Sequence, residues 1–137
     1  MRTSLERGAG LLMPISSLPS PFGIGTLGAA AYEFVDWLKR ARQKYWQVLP
    51  VGPTSYGDSP YQSFSAFAGN PYFIDLDTLV KEGLLTYEEI NACYWGENPS
   101  KVAYDAIFYY RFPLLRKAFE RSSHKGTEAF EDFCREN

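Results

Sequence analysis

An α/β fold is expected from three stretches taken together: a short apolar run closed by proline, an amphipathic segment of helical period, and a second short run rich in aromatic and β-branched residues. Ala9-Gly10-Leu11-Leu12-Met13 is too brief for a helix and stops at Pro14, so residues 10–13 read as a buried strand. Residues 14–28 carry Pro14, Pro19, Pro21, Gly23, Gly25 and Gly28, and read as a loop of fixed turns rather than a regular element. Ala31, Phe34, Val35, Leu38 and Ala41 then repeat at i, i+3, i+4, i+7, with Glu33, Asp36, Lys39 and Arg40 off the stripe. That spacing predicts an amphipathic helix of about four turns. Lys39, Arg40, Arg42 and Lys44 crowd its end, where the negative pole of the helix dipole favours cations. Tyr45-Trp46-Gln47-Val48-Leu49-Pro50 supplies a second buried strand, centred on residues 46–49 and again closed by proline. Strand, helix and strand make a βαβ unit, with parallel strands and a right-handed crossover.

Residues 51–73 hold glycines, prolines and hydroxylated residues throughout and read as a long loop. Long loops in compact domains are usually functional, and this one follows the C-terminal end of a strand, the side where parallel α/β folds bind ligands. Beyond it the pattern becomes helical. Asp77 is a candidate cap for a short helix running to Gly83, and Thr86-Tyr87-Glu88-Glu89 has the capping-box pattern that opens another. Residues 102–121 form a long apolar helical segment, in which Pro113 should produce a kink or break. A last short helix places Phe130, Phe133 and Cys134 on one face, and no third strand is expected.

Composition narrows the function. The 137 residues suffice for one ordinary core. With 14 basic and 16 acidic side chains, the net charge of -2 offers no footprint for nucleic acid and no polybasic face for a membrane. Cys93 and Cys134 are too few for a disulfide framework and have no metal-ligand spacing, so free thiols in the cytoplasm are expected. His124, the single histidine, lies in the polar connection Ser122–Gly126, which disfavours histidine triads and multi-histidine metal sites. Ser59 has no nucleophile-elbow sequence around it. Gly23-Ile24-Gly25-Thr26-Leu27-Gly28 matches G-x-G-x-x-G, but its first glycine lies nine residues past Pro14, and Gln47-Val48-Leu49-Pro50 stands where an acidic ribose contact belongs. These are read as turn glycines, and no cofactor is expected.

Aromatic residues reach 17% of the chain. Tyr56, Tyr61, Phe64, Phe67, Tyr72 and Phe73 are interleaved with small and hydroxylated residues in the 51–73 loop. A pyranose has an apolar C–H face that lies on a ring, and edge hydroxyls that need donors and acceptors such as Asp58, Ser59 and Gln62. Phe64 and Phe67 are expected to anchor the loop by packing. For Tyr56 and Tyr61 ligand contact and packing weigh equally on chemistry alone.

Specific runs then carry a resemblance. Gly10–Pro14, Ser17-Leu18-Pro19, Tyr45–Pro50, Gly52-Pro53-Thr54 and above all Gly57-Asp58-Ser59-Pro60-Tyr61-Gln62-Ser63-Phe64-Ser65-Ala66-Phe67-Ala68-Gly69-Asn70-Pro71-Tyr72 resemble the N-terminal end of 4-α-glucanotransferases, the amylomaltases or disproportionating enzymes. The resemblance implies a (β/α)8 TIM barrel, of which residues 1–74 would be the first βαβ part and residues 75–137 an incomplete helical insertion. It also implies transfer of α-1,4-glucan segments between maltodextrins by a retaining double displacement, without a cofactor, on starch-, glycogen- or maltodextrin-type substrates. By that resemblance Tyr61 stacks under the sugar beside the scissile bond, Ser59 and Asp58 are its polar neighbours, and Tyr56 belongs to a second glucan-contact surface. Plain packing is expected for Ile107, Phe108, Leu114 and Leu115. Retaining chemistry needs a carboxylate pair about 5 Å apart, and Asp58 is the one carboxylate of the 51–73 loop. The chain thus resembles an N-terminal fragment that supplies substrate contacts but no catalytic carboxylates. A non-catalytic carbohydrate-binding module and an α-glucan hydrolase are the competing readings.

Overall fold

Two short strands lie side by side at the start of the chain: β1 (Gly10–Leu12) and β2 (Tyr45–Gln47) pair in parallel, with Gly10 opposite Tyr45, Leu11 opposite Trp46 and Leu12 opposite Gln47. The computed structural model describes residues 6–55 and 57–137. Its described residues divide into two compact units, the first ending at Ile74 and the second starting at Asp75.

In the first unit the pairing extends past the strands, through Lys44 N–H to the Ala9 carbonyl (2.8 Å) and Met13 N–H to the Gln47 carbonyl (3.0 Å). The Trp46 indole N–H also donates to the Met13 carbonyl at 2.8 Å. Both strands are shorter than the sequence suggests, and β1 is exposed along its whole length, with Leu12 at 55%. The expectation of buried strands is therefore corrected. A parallel strand becomes buried only when neighbours and helices cover it, and the core here gathers instead under the loop that follows β1. Ile15, Leu18 and Ala31 form that core, flanked by Met13, Ala30, Phe34, Trp46 and Phe73. Phe34 meets Trp46 edge-on at 5.0 Å between ring centroids.

The loop after β1 contains one turn of 3-10 helix, Ile15–Ser17, where a loop of fixed turns without a regular element is expected. Gly25 lies against it: its N–H donates to the Ser16 carbonyl at 3.1 Å, and a Cβ at Gly25 would collide with the Ile15 carbonyl oxygen and sit 2.7 Å from the Leu18 amide nitrogen. The glycine therefore serves a close approach of backbones, so its reading as a turn glycine is corrected. Gly25→Ala is expected to cost on the order of 1–3 kcal/mol, because both neighbours are backbone and cannot rotate away. A urea-unfolding midpoint equal to that of the unmodified chain would overturn this.

Helix α1 (Ala29–Arg40) starts at Gly28 and buries Ala31 and Leu38, whereas Val35 and Ala41 of the expected stripe are exposed. Its end closes through Arg42 N–H to the Lys39 carbonyl (3.0 Å) and Gln43 N–H to the Leu38 carbonyl (2.9 Å), with Arg42 in the left-handed region at φ 55°. That is the closure glycine normally provides, and no glycine announces it.

In the second unit α2 (Leu76–Lys81) is capped by Asp75, whose carboxylate accepts from the Thr78 amide at 2.8 Å; the expectation of Asp77 as cap is corrected. Asp77 instead accepts from the Tyr87 hydroxyl at 2.9 Å, which raises the Tyr87 pKa. Gly83, at φ 73°, closes α2 as the sequence predicts. Helix α3 (Tyr87–Asn91) has the full capping box, with Glu89 N–H on the Thr86 hydroxyl (3.2 Å) and Thr86 N–H on the Glu89 carboxylate (3.0 Å).

Helix α4 (Tyr104–Arg121) runs unbroken through Pro113, against the expected interruption. The buried stripe Ala106, Ile107, Arg111, Leu114 and Ala118 continues on both sides of the proline, so burial outweighs one lost backbone bond. Phe108 is 63% exposed and so departs from the packing expected of it. In α5 (Glu128–Glu136) no residue is buried, although Phe130 meets Phe119 at 5.1 Å.

Glu89 ties α3 to α4: Arg121 donates to both its carboxylate oxygens (2.8 and 2.9 Å) and Lys117 to one (3.1 Å). These donors, Arg121 first, lower its pKa from 4.5 to about 2. A carboxylate held below its unfolded value contributes stability that is complete above about 4.5 and lost as pH falls toward about 2. Glu89→Gln is therefore expected to be less stable than the unmodified chain at neutral pH, with the difference vanishing at pH 2 in urea melts. A difference independent of pH would show that the carboxylate charge is not responsible.

Candidate functional site

The loop that leaves β2 is closed at its neck by the Asn70 N–H on the Val51 carbonyl, at 2.8 Å. Within it Ser55 N–H donates to the Gln62 carbonyl (3.1 Å), and Gln62 N–H donates to the Ser59 carbonyl (3.1 Å). A tight turn, Ser59-Pro60-Tyr61-Gln62, therefore sits on a small hairpin-like arm. Gly57 (φ 84°) and Asp58 (φ 53°) are both left-handed. No neighbour lies within 4 Å of a Cβ built at Gly57, so its need for glycine is conformational, while Asp is among the few residues that tolerate the second position.

Asp58, Ser59 and Tyr61 are thus brought close along the chain, Ser59 and Tyr61 on one turn and Asp58 immediately before it. The Ser59 hydroxyl accepts the Tyr61 amide at 3.3 Å, Asp58 and Ser59 are half-buried, and Tyr61 is 72% exposed. Tyr56, expected beside them, lies outside the described residues. Phe64 and Phe67 are 75% and 99% exposed, so their expected anchoring role is corrected. Polar groups tie that part of the loop instead. The Ser65 hydroxyl accepts from the amides of Phe67 (3.3 Å) and Ala68 (3.1 Å), and the Ser63 hydroxyl donates to the Ser65 carbonyl (2.6 Å). Gly52 leaves room for this, since a Cβ there would be 2.7 Å from the Ser63 oxygen. Apolar rings thus face outward on a backbone held by hydroxyls, an arrangement suited to contact with a ligand that has both an apolar face and hydroxyl edges.

A profile described as 4-alpha-glucanotransferase matches residues 13–137, almost the whole described chain and all of this loop. The chain belongs to the 4-alpha-glucanotransferase family. A 4-alpha-glucanotransferase of Streptococcus pneumoniae is 54% identical over 133 residues, which are 96% of this chain and 26% of the relative. One of Thermus thermophilus is 47% identical, over 94% of this chain and 26% of its own length. Among solved structures, the amylomaltase from Streptococcus agalactiae in complex with acarbose superposes with a TM-score of 0.84 at 44% identity, covering 96% of this chain and 27% of that one. The chain spans about a quarter of the length of these 4-alpha-glucanotransferases.

The helical unit offers a second concavity, an open groove of about 710 Å³ lined by α3, the residues just after it and α4, including Glu88, Cys93, Tyr109, Pro113 and Lys117. Burial pushes the Cys93 thiol up, which disfavours thiolate chemistry there. Glu89, also on its wall, is committed to Arg121 and Lys117. Among the described residues no group of three or more His, Cys, Asp or Glu is placed to hold a metal ion, and no helix is long and apolar enough to cross a membrane. His124 is exposed, consistent with the solvated loop position read from the sequence.

Sequence reasoning passed over Asn70, which is buried at 8% exposure and accepts the Tyr72 amide through its side chain at 2.9 Å. The Asn70-Pro71 pair was the available signal, since Asx side chains cap turns and proline suits the first position after such a cap.

Proposed function

We propose that this chain supplies glucan-contact residues to a 4-alpha-glucanotransferase that moves α-1,4-glucan segments between maltodextrins by a retaining double displacement. The observation that carries it is Tyr61, a large ring 72% exposed on a hydrogen-bonded turn at the C-terminal side of a parallel strand. In this reading Tyr61 lies against an apolar sugar face, Asp58 and Ser59 meet its hydroxyls, and Tyr56 belongs to a second contact surface. The complex of the amylomaltase neighbour with acarbose supports a saccharide as the class of ligand.

Residues 1–74 then belong to the start of a (β/α)8 barrel and residues 75–137 to a helical insertion of it. Asp58 is the one carboxylate of the loop, and a retaining displacement needs two carboxyl groups about 5 Å apart. Catalytic carboxylates are therefore assigned to other parts of a protein of family length, and the work of these 137 residues is binding and orientation.

Maltotriose separates the alternatives. A protein of family length carrying these residues is expected to produce glucose together with maltodextrins longer than maltotriose, whereas the 137-residue chain alone should produce neither. Glucose and maltose without longer products from the long protein would favour hydrolysis. Both glucose and longer products from the short chain, with contaminating enzymes excluded, would overturn the division of labour.

A further inference from the structure

We propose that Asn70 is a positioning residue for the proposed glucan contact, holding the foot of the loop that carries Tyr61. The proposal rests on the reading of that loop as a glucan-contact surface. Three bonds converge on this one residue. Its N–H reaches back to the Val51 carbonyl at 2.8 Å, its side-chain oxygen accepts the Tyr72 amide at 2.9 Å, and its carbonyl accepts the Phe73 amide at 3.0 Å. The first closes the loop over residues 52–69, and the other two fold residues 70–73 into the single 3-10 turn at its foot. Phe73 in turn packs on the Ile15, Leu18 and Ala31 core, and its carbonyl accepts the Leu27 amide at 3.0 Å.

Asn70 thus joins a foot anchored in the core to an arm whose rings are exposed. Inside the loop the bonds among the described residues include short-range serine contacts and the Ser55–Gln62 and Ser59–Gln62 bonds, which shape the arm between its two ends. One end is Val51, next to β2, and the other is Asn70. Losing the side-chain acceptor would leave the Tyr72 amide, which is on a buried residue, without that bond and loosen the 3-10 turn. The cost would then appear as misplacement of Tyr61, and small misplacements of a positioning group lower rates strongly.

The test is a double-substitution cycle in a protein of family length, with maltotriose as substrate. Asn70→Ala is expected to lower kcat/KM roughly tenfold per folded molecule, and by less than about twofold when Tyr61→Ala is already present, because the side chain acts through Tyr61. Asn70→Asp, which keeps the acceptor oxygen, should restore most of the activity. Losses that multiply independently, or an unchanged kcat/KM in Asn70→Ala, would overturn the proposal. Should Asn70→Ala not fold, Asn70→Ser, with its shorter acceptor, enters the same cycle and is read by the same criterion. Chymotryptic cleavage after Tyr61, Phe64 and Phe67 is read in parallel, and Asn70→Ala is expected to accelerate it roughly tenfold. An inactive unmodified protein would overturn the glucan reading itself. Cleavage unaffected by the substitution would instead show that Asn70 does not hold the loop.

Discussion

Tyr61→Ala, made in a protein of family length, is expected to lower kcat/KM on maltodextrin between about fivefold and about 150-fold while leaving the melting temperature nearly unchanged. The magnitude follows from ring stacking on a flat ligand, worth roughly 1–3 kcal/mol where it has been removed by alanine, at about 1.4 kcal/mol per tenfold in rate. The small effect on the fold follows from the structure. The ring is 72% exposed, and the turn beneath it is held by backbone groups and the Ser59 hydroxyl, which the substitution leaves in place. Tyr61→Phe keeps the ring and should recover most of the rate. A large fall in melting temperature with kcat/KM unaltered would make Tyr61 a packing residue.

Ile107→Ala should have the largest effect on stability, about 2–5 kcal/mol, because it removes buried methyl groups and leaves a cavity. Ile107 is completely buried in the middle of the α4 stripe. Against total stabilities of about 5–15 kcal/mol, that is enough to threaten folding at room temperature. Its neighbour Phe108 provides the control. Phe108 is 63% exposed and meets Phe112 edge-on at 5.3 Å, so Phe108→Ala should cost no more than about 1 kcal/mol despite removing a larger side chain. Urea midpoints for the two variants, with slopes unchanged, make the comparison. Equal losses would show that exposure does not separate the two positions.

The same pair marks where reading the sequence stops. Ile107 and Phe108 are adjacent apolar residues, and apolar character alone assigns both to packing, whereas consecutive residues on a helix point about 100° apart. Asp75 and Asp77 pose a similar problem: either can cap by chemistry, and the choice falls to the one whose carboxylate reaches the Thr78 amide. The capping box at Thr86 and Glu89 and the glycine closure at Gly83 were readable, because each is complete within a few residues.

In the loop, the Gly57–Tyr72 run carried the family resemblance and the chemical suitability for a saccharide, since both reside in residue identity and order. What it did not disclose is which rings turn outward. Phe64 and Phe67 had every intrinsic reason to bury, yet serine hydroxyls and the Asn70 clamp hold that backbone with the rings in solvent. Likewise α4 continues through Pro113 because buried residues on both sides outweigh the local penalty. The order strand, helix, strand and then helices was determined by the sequence, because hydrophobic period, caps and punctuation act over one or two turns. Burial of particular side chains and the continuity of α4 were decided by tertiary structure, because they depend on contacts between residues far apart in the chain, which no local pattern encodes.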